Sequence, residues 1–324
     1  MSNTLSAGDR VLFFDHGFFG RKWAAVAERL GLNVELVPGD WREAVLPKRV
    51  GDLLMTDTDH QIKAVMVVHN ETATGVTTSL ELVRRAMNTV GHPALLMTDT
   101  VSSLGATDYR HDEWGIDVAV SGSQKAMMLP PGLSFVATSA KALSASRNAQ
   151  LPRSYWSWDD MIRFNDDGFF PYTPATTLLY GLDEALAMLR EEGLDNVFAR
   201  HARHARATRA AVAAWGLENQ AIHPETFSNA ATTVRMPEGH DADGLRRLIL
   251  DRFDMSLGKG LGDLEGMAFR IGHLGDFNDL MLAGTLAGVE MGLGAAGVPH
   301  QPGGIQAAME VLAVDPTRQE LVAV

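Results

Sequence analysis

Two side chains of this sequence stand where chemistry on a carbonyl compound could be done. Asp99 follows the apolar run 94–97, and Lys125 follows the apolar run 116–120 through Ser121, Gly122, Ser123 and Gln124. A lysine amine becomes a nucleophile toward an aldehyde once it is partly desolvated. Lys125 is set among Gly, Ser, Ala, Met and the Pro130-Pro131-Gly132 triplet, surroundings that suit a buried amine. A carboxylate delivered to the same place can keep a heterocyclic nitrogen protonated. Together they are the pair that pyridoxal phosphate requires, the lysine to hold it as an imine and the acid to make its ring an electron sink. Spacing alone leaves a plainer alternative open, with Lys125 facing solvent and Asp99 capping a helix.

Arg270, in Phe269-Arg270-Ile271-Gly272, is a third candidate. A guanidinium grips a carboxylate in two parallel hydrogen bonds and keeps its charge at any working pH. The plainer reading is a surface ion pair. His69 and His273 read as packed histidines satisfied by backbone. His111, Asp112 and Glu113 are consecutive and read as a solvated turn rather than a metal cluster. The stretch Gly258-Lys259-Gly260-Leu261-Gly262 lacks the Gly-Lys-Ser/Thr ending of a nucleotide loop and reads as a flexible loop ahead of the Arg270 strand.

The elements that would position these residues alternate. Short apolar runs at 11–14, 34–37, 62–68, 94–97, 116–120 and 134–138 read as strands. Helical patterns fall at 20–30, 41–54 (with Pro47 in tension), 79–90 and 141–147. Such alternation predicts an α/β fold with a mostly parallel sheet and helices on both faces. In such sheets ligands bind outside the carboxyl ends of the strands, where Asp99 and Lys125 fall. Residues 153–174 read as a long loop rich in Asp, Trp and Phe, and 176–192 and 194–215 as helices. Beyond them, strands at 231–235 and 267–271 and helices at 242–252, 276–293 and 304–312 fit a small α+β domain. The division expected is a large domain over 1–193 and a small C-terminal domain over 194–324. The tail 315–324 is expected to be disordered.

Composition narrows the function classes. A net charge of −12 argues against nucleic acid as a partner. There is no cysteine, which excludes disulfides, thiolate chemistry and cysteine-based metal sites. No metal-binding histidine spacing occurs, and no apolar run reaches the roughly 18 residues of a membrane helix. The first residues carry no basic region followed by an apolar block, so a cytoplasmic enzyme is the expectation.

Five stretches carry a resemblance. They are HNETATGV (69–76), DTVSSLGA (99–106), GIDVAVSGSQKAMMLPPGLSF (115–135), PYTPATTLLYGL (171–182) and FRIGHLGD (269–276). In this order they closely resemble the class V aminotransferases, and within them the serine–glyoxylate and alanine–glyoxylate aminotransferases. The resemblance implies a fold type I pyridoxal-phosphate enzyme and a role for each matching residue. Lys125 would be the Schiff-base lysine and proton shuttle, and Asp99 the partner of the pyridinium nitrogen. Val101 would pack under the ring, Thr72 would bond its 3′ oxygen, and Phe19 would stack on it where many relatives carry Trp. Gln124 would contact the phosphate, and Thr173 the phosphate of the neighbouring subunit, implying a homodimer with shared active sites. Arg270 would take the substrate carboxylate.

The reaction implied moves an amino group from serine or alanine to glyoxylate by a ping-pong route, leaving hydroxypyruvate or pyruvate and glycine. Small donors are expected because no second arginine stands in a family substrate position. Relatives are expected to carry a further N-terminal segment, with a dimer arm and a phosphate-binding Ser-Gly-Thr/His-Gly loop that is not found in these 324 residues. The alternatives are another lyase or transferase chemistry on the same scaffold, against which the missing thiol counts for a desulfurase, and an inactive truncated relative.

Overall fold

Residues 1–314 are described by the computed structural model. The tail from Asp315 onward, expected to be disordered, lies outside the described residues. The alternation in the sequence becomes β1 (Arg10–Asp15), α1 (Phe18–Arg29), β2 (Asn33–Pro38), α2 (Pro47–Thr56) and β3 (Ile62–Val68). A small hairpin of β4 (Asn70–Glu71) and β5 (Val76–Thr77) follows, then α3 (Leu80–Thr89), β6 (Leu95–Asp99), β7 (Val118–Gly122), β8 (Ser134–Thr138) and α4 (Ala140–Ser146). The six long strands form one sheet in the order β2-β1-β3-β6-β7-β8. All neighbours are parallel except the pair β7 and β8.

Strand periodicity explains the layers. Leu12 and Phe14 of β1 turn to one face, where Val50 and Leu54 of α2 and Val83 and Met87 of α3 cover them. Val11 and Phe13 turn to the other, under Ala24 and Ala27 of α1 and Ala142 of α4. Both faces are therefore dry, as a parallel sheet requires.

Two expectations are corrected here. The helix expected over 41–54 starts only at Pro47, which occupies its first turn; a missing N–H is harmless there and the ring presets φ. The expected loop 153–174 contains α5 (Trp158–Asp166). Ser157 caps it by accepting from the Asp160 N–H, and Asp159 and Asp160 suit its N-terminal dipole.

After α6 (Thr176–Glu192) and α7 (Leu194–Ala214), the rhythm becomes antiparallel. The remaining elements are β9 (Glu218–Asn219), β10 (Ala231–Arg235), α8 (Ala242–Phe253), β11 (Gly258–Lys259), β12 (Ala268–Gly272), α9 (Asp279–Ala295) and α10 (Gly304–Leu312). Their strands form a second sheet in the order β11-β12-β10-β9. Its core joins Val234, Phe269 and Ile271 of the sheet to Leu245, Ile249, Leu282 and Leu286 of the helices and to buried Trp215. Among the described residues no helix is long and apolar enough to cross a membrane.

Candidate active site

The carboxyl ends of β3, β6 and β7 lie on one edge of the large sheet and deliver the site. At the end of β7 the chain turns through Ser123, Gln124 and Lys125. Ser123 is fully buried and braces this turn: its hydroxyl donates to the Pro130 carbonyl at 2.8 Å and accepts from the Leu133 N–H at 3.1 Å. Met128 N–H donates to the Lys125 carbonyl at 2.9 Å. Met128 has φ 64, a left-handed conformation that a side chain rarely adopts, so the loop is held in shape by its surroundings. Gly132 is needed for a close approach, because a Cβ there would lie 2.5 Å from Leu178 Cδ1 of α6.

Lys125 is half-buried, and its Nζ has no hydrogen-bond partner among the described residues. Burial pushes its amine below the usual lysine range, the Arg270 charge adds to this, and Asp99 opposes it. The Asp99 carboxyl is pushed up by burial, against the Val101 N–H that donates to Oδ1 at 2.8 Å and against the Lys125 charge. Oδ2 has no partner among the described residues. The two charges act on each other but form no ion pair among the described residues.

Arg270 comes from β12 of the other sheet. Its Nε donates to the Lys259 carbonyl at 2.8 Å, and Nη1 to the Thr72 carbonyl at 3.1 Å. The remaining N–H groups, two on Nη2 and one on Nη1, have no partner among the described residues. Arg270 thus keeps N–H donors on both Nη atoms for a ligand carboxylate. Burial lowers the pKa of the guanidinium from its ordinary value, and the Glu71 charge opposes this. The Gly258–Gly262 stretch read as a loop is strand over its first two residues. Gly258 and Lys259 form the edge strand that pairs with β12 and anchors Arg270.

Thr72 follows β4. Its hydroxyl donates to Ser102 Oγ at 2.7 Å, and Ser102 Oγ also accepts from Asn70 Nδ2 at 2.9 Å. Ser102 keeps a donor if Thr72 turns away, so the Thr72 hydroxyl is free to re-point to a ligand. Phe19 sits in the first turn of α1, partly exposed, edge-on to Phe18 at 5.3 Å. Gln124 is exposed, and its side chain lies over Gly122 beside Val101. Thr173 stands apart: it is exposed, ahead of α6, and makes no hydrogen bond to the other candidates among the described residues.

His69 and His273 are packed. His69 is 2% exposed and bonded to the Ser103 hydroxyl at 2.9 Å, and burial lowers its pKa to about 4. His273 donates from Nδ1 to the Asn229 carbonyl at 3.1 Å, and burial lowers it to about 3. Glu71 was not anticipated. It is 4% exposed and lies between Thr72 and the start of α1. Its lone charge inside a stretch that is otherwise polar and neutral was the available signal.

The arrangement can hold a flat heterocycle. It offers an unpaired carboxylate oxygen for a protonated ring nitrogen, a partly desolvated amine for an aldehyde, an aromatic face and a hydroxyl. A fork for a carboxylate is anchored alongside.

Comparison with known proteins agrees with this geometry. The profile of the family described as aminotransferase class-V matches residues 1–252. The serine–glyoxylate aminotransferase of Methylorubrum extorquens is 48% identical over 98% of this chain and 80% of its own length. The L-aspartate–glyoxylate aminotransferase of Paracoccus denitrificans is 45% identical over 96% of this chain and 78% of its own. The crystal structure of pyridoxamine–pyruvate aminotransferase from Mesorhizobium loti superposes with a TM-score of 0.89 at 31% identity, covering 96% of this chain and 80% of that one. The strand order, the lysine and aspartate at adjacent strand ends and these matches lead to one conclusion: the chain belongs to the class V aminotransferase family.

Proposed function

We propose that this protein transfers the amino group of a small amino acid, serine first, to glyoxylate, using pyridoxal 5′-phosphate. The observation that carries the reading is that Lys125, Asp99 and Arg270, brought from two sheets, lie near enough for the charges of Asp99 and Arg270 to act on Lys125, with Arg270 Nη2 and Asp99 Oδ2 unpaired among the described residues. Similarity to the serine–glyoxylate enzyme supports the substrate pair.

When bound, the cofactor would supply an electron sink that stabilises negative charge at the substrate α-carbon. The residues of this chain do the rest. Asp99 would face the ring nitrogen and favour its protonated form. Val101 and Phe19 would hold the ring between them, and Thr72 would donate to its 3′ oxygen. Gln124 would contact the phosphate. Lys125 would hold the cofactor through its amine and serve as the base at the substrate α-carbon. Burial and the Arg270 charge lower the pKa of its amine, so more of it stands in the neutral form that can take a proton. Arg270 binds the carboxylate common to amino acid and oxo acid, so one arginine serves both half-reactions.

The assembly we propose is a homodimer in which Thr173 serves the partner's site. Supporting it, exposed Tyr155, Trp156, Phe169, Phe170, Tyr172 and Tyr180 surround Thr173 in the sequence, a dense apolar cover for a free surface.

The test is a donor panel. The protein is loaded with pyridoxal phosphate and given glyoxylate with serine, alanine or aspartate, and glycine is measured. Serine or alanine should support turnover, and Lys125→Ala should abolish it. Turnover with aspartate alone would move the donor assignment. No glycine from any of the three, in protein that binds the cofactor, would overturn the reading.

A further inference from the structure

Three successive residues each bond a different part of the molecule. Glu71 reaches α1: its Oε2 accepts from the Phe19 N–H at 3.0 Å and the Gly20 N–H at 3.2 Å. Its Oε1 accepts from the Ala73 N–H at 3.1 Å, which closes its own turn. The Thr72 carbonyl accepts from Arg270. The Ala73 carbonyl accepts from the Thr233 hydroxyl at 3.1 Å, on β10 of the small sheet. We propose that Glu71 is a positioning residue for the transamination site, fastening the aromatic wall at Phe19 to the turn that carries Thr72 and anchors Arg270. This rests on the reading of the cleft as a pyridoxal phosphate site.

The local chemistry supports a fastening. The N-cap of α1 is Gly17, which has no side chain to satisfy the first N–H groups of the helix. Glu71 supplies that cap from a distant part of the sequence, and its charge meets the positive end of the helix. A Cβ at Gly17 would overlap Glu71 Cγ and Cδ, so the helix start is shaped around this side chain. Among the described residues no lysine or arginine bonds the carboxylate, and three backbone N–H groups hold it. Removing a buried acid from water without a cation is unfavourable. Burial pushes Glu71 up to about 7, with Asp99 adding to the shift and the three N–H groups opposing it. A fold seeking stability alone would be served as well by a neutral cap.

The ionised form is suited to three N–H donors, whereas a protonated carboxyl turns one oxygen into a donor that finds N–H groups in front of it. The fastening is therefore strongest with Glu71 ionised. The charged or titratable groups facing it are Asp99 at the end of β6, Arg270 on β12, and His16 and Glu43, which line the same small cavity under α1.

Hydrogen exchange at the Phe19 and Gly20 amides tests this without any cofactor. The exchange read is local fraying of the start of α1, in which Glu71 stays buried; in the wild type, protection factors against it, corrected for intrinsic exchange, should rise roughly tenfold as pH increases from 5.5 to 8.5. In Glu71→Gln the rise should vanish, and protection at pH 8.5 should fall roughly tenfold. Pyridoxal phosphate should bind roughly tenfold more weakly to Glu71→Gln than to wild type, and Glu71→Asp should recover part of that loss. Flat wild-type protection across this range overturns the proposal, even if the Gln variant does not fold. So does a folded Gln variant with wild-type protection and a wild-type Kd. Wild type that fails to bind pyridoxal phosphate would instead defeat the cofactor reading, and the exchange result would still decide whether Glu71 fastens α1.

Discussion

Arg270→Lys removes geometry while keeping charge. In the native chain two of the five guanidinium N–H groups are spent on carbonyls, Nε on Lys259 and Nη1 on Thr72. Three remain, two on Nη2 and one on Nη1, donors enough for two bonds to a carboxylate. A lysine at this position would offer a point charge with neither carbonyl anchor, so one of the two bonds would be lost and the other poorly directed. A hydrogen bond to a charged group contributes about 1.5–3 kcal/mol. Taking about 3 kcal/mol for the lost bond and the lost orientation gives a decrease of about 150-fold in kcat/KM. The serine and glyoxylate half-reactions should fall by similar factors, because their carboxylates use the same fork. An amine without a carboxylate, such as ethanolamine, should react with wild type and variant at similar low rates. Rapid mixing of the loaded enzyme with each substrate measures all three. A decrease below fivefold, or one confined to a single half-reaction, would refute the assignment of Arg270 to the common carboxylate.

Asp99→Asn should keep the Val101 N–H bond but lose the negative partner of the ring nitrogen, lowering single-turnover rates about 100-fold while cofactor affinity changes much less. Gly260→Ala should destabilise the fold by at least about 2 kcal/mol in urea unfolding, because a Cβ there would overlap the Leu264 carbonyl and come within 2.8 Å of the Ala268 carbonyl; an unchanged midpoint would show that the edge strand is not rigid. Stability should pass through a maximum near neutral pH. Burial lowers His69 and His201 to about 4 and His273 to about 3, so the contribution of these neutral rings is complete above 6.5 and is lost as pH falls below it. In global unfolding, which returns its carboxylate to water, Glu71 works in the opposite direction: its folded pKa, about 7, lies above 4.5, so its contribution is present below 4.5 and lost as pH rises through 7. Urea unfolding from pH 4 to 9 should show both limbs, and Glu71→Gln should flatten only the alkaline one.

The positions of Asp99, Lys125 and Arg270 were legible because each ends or occupies an apolar run, and apolar runs are what a buried strand writes into a sequence. The capped helix α5 was not, because Trp, Phe and Asp interrupt its period, although Ser157 and the two aspartates after it mark its start. The hairpin β4–β5 has strands of two residues each, too short for any period. What holds Arg270 was hidden for a different reason. Its anchors are the backbone carbonyls of Lys259 and Thr72, and a carbonyl has no letter in the sequence. Glu71 was visible as a charge, but its partners are N–H groups of Phe19 and Gly20, brought to it only by the packing of α1 on the sheet.

The central claim is that Lys125 holds pyridoxal phosphate against Asp99 in this cleft. Titrating the 324-residue chain with pyridoxal phosphate, followed by the visible absorbance of the lysine-bound form, tests it beside Lys125→Ala. The account predicts a saturable band in the wild type, absent from the variant and discharged by L-serine. A folded wild-type protein with no such band, or a band that persists in Lys125→Ala, would contradict it.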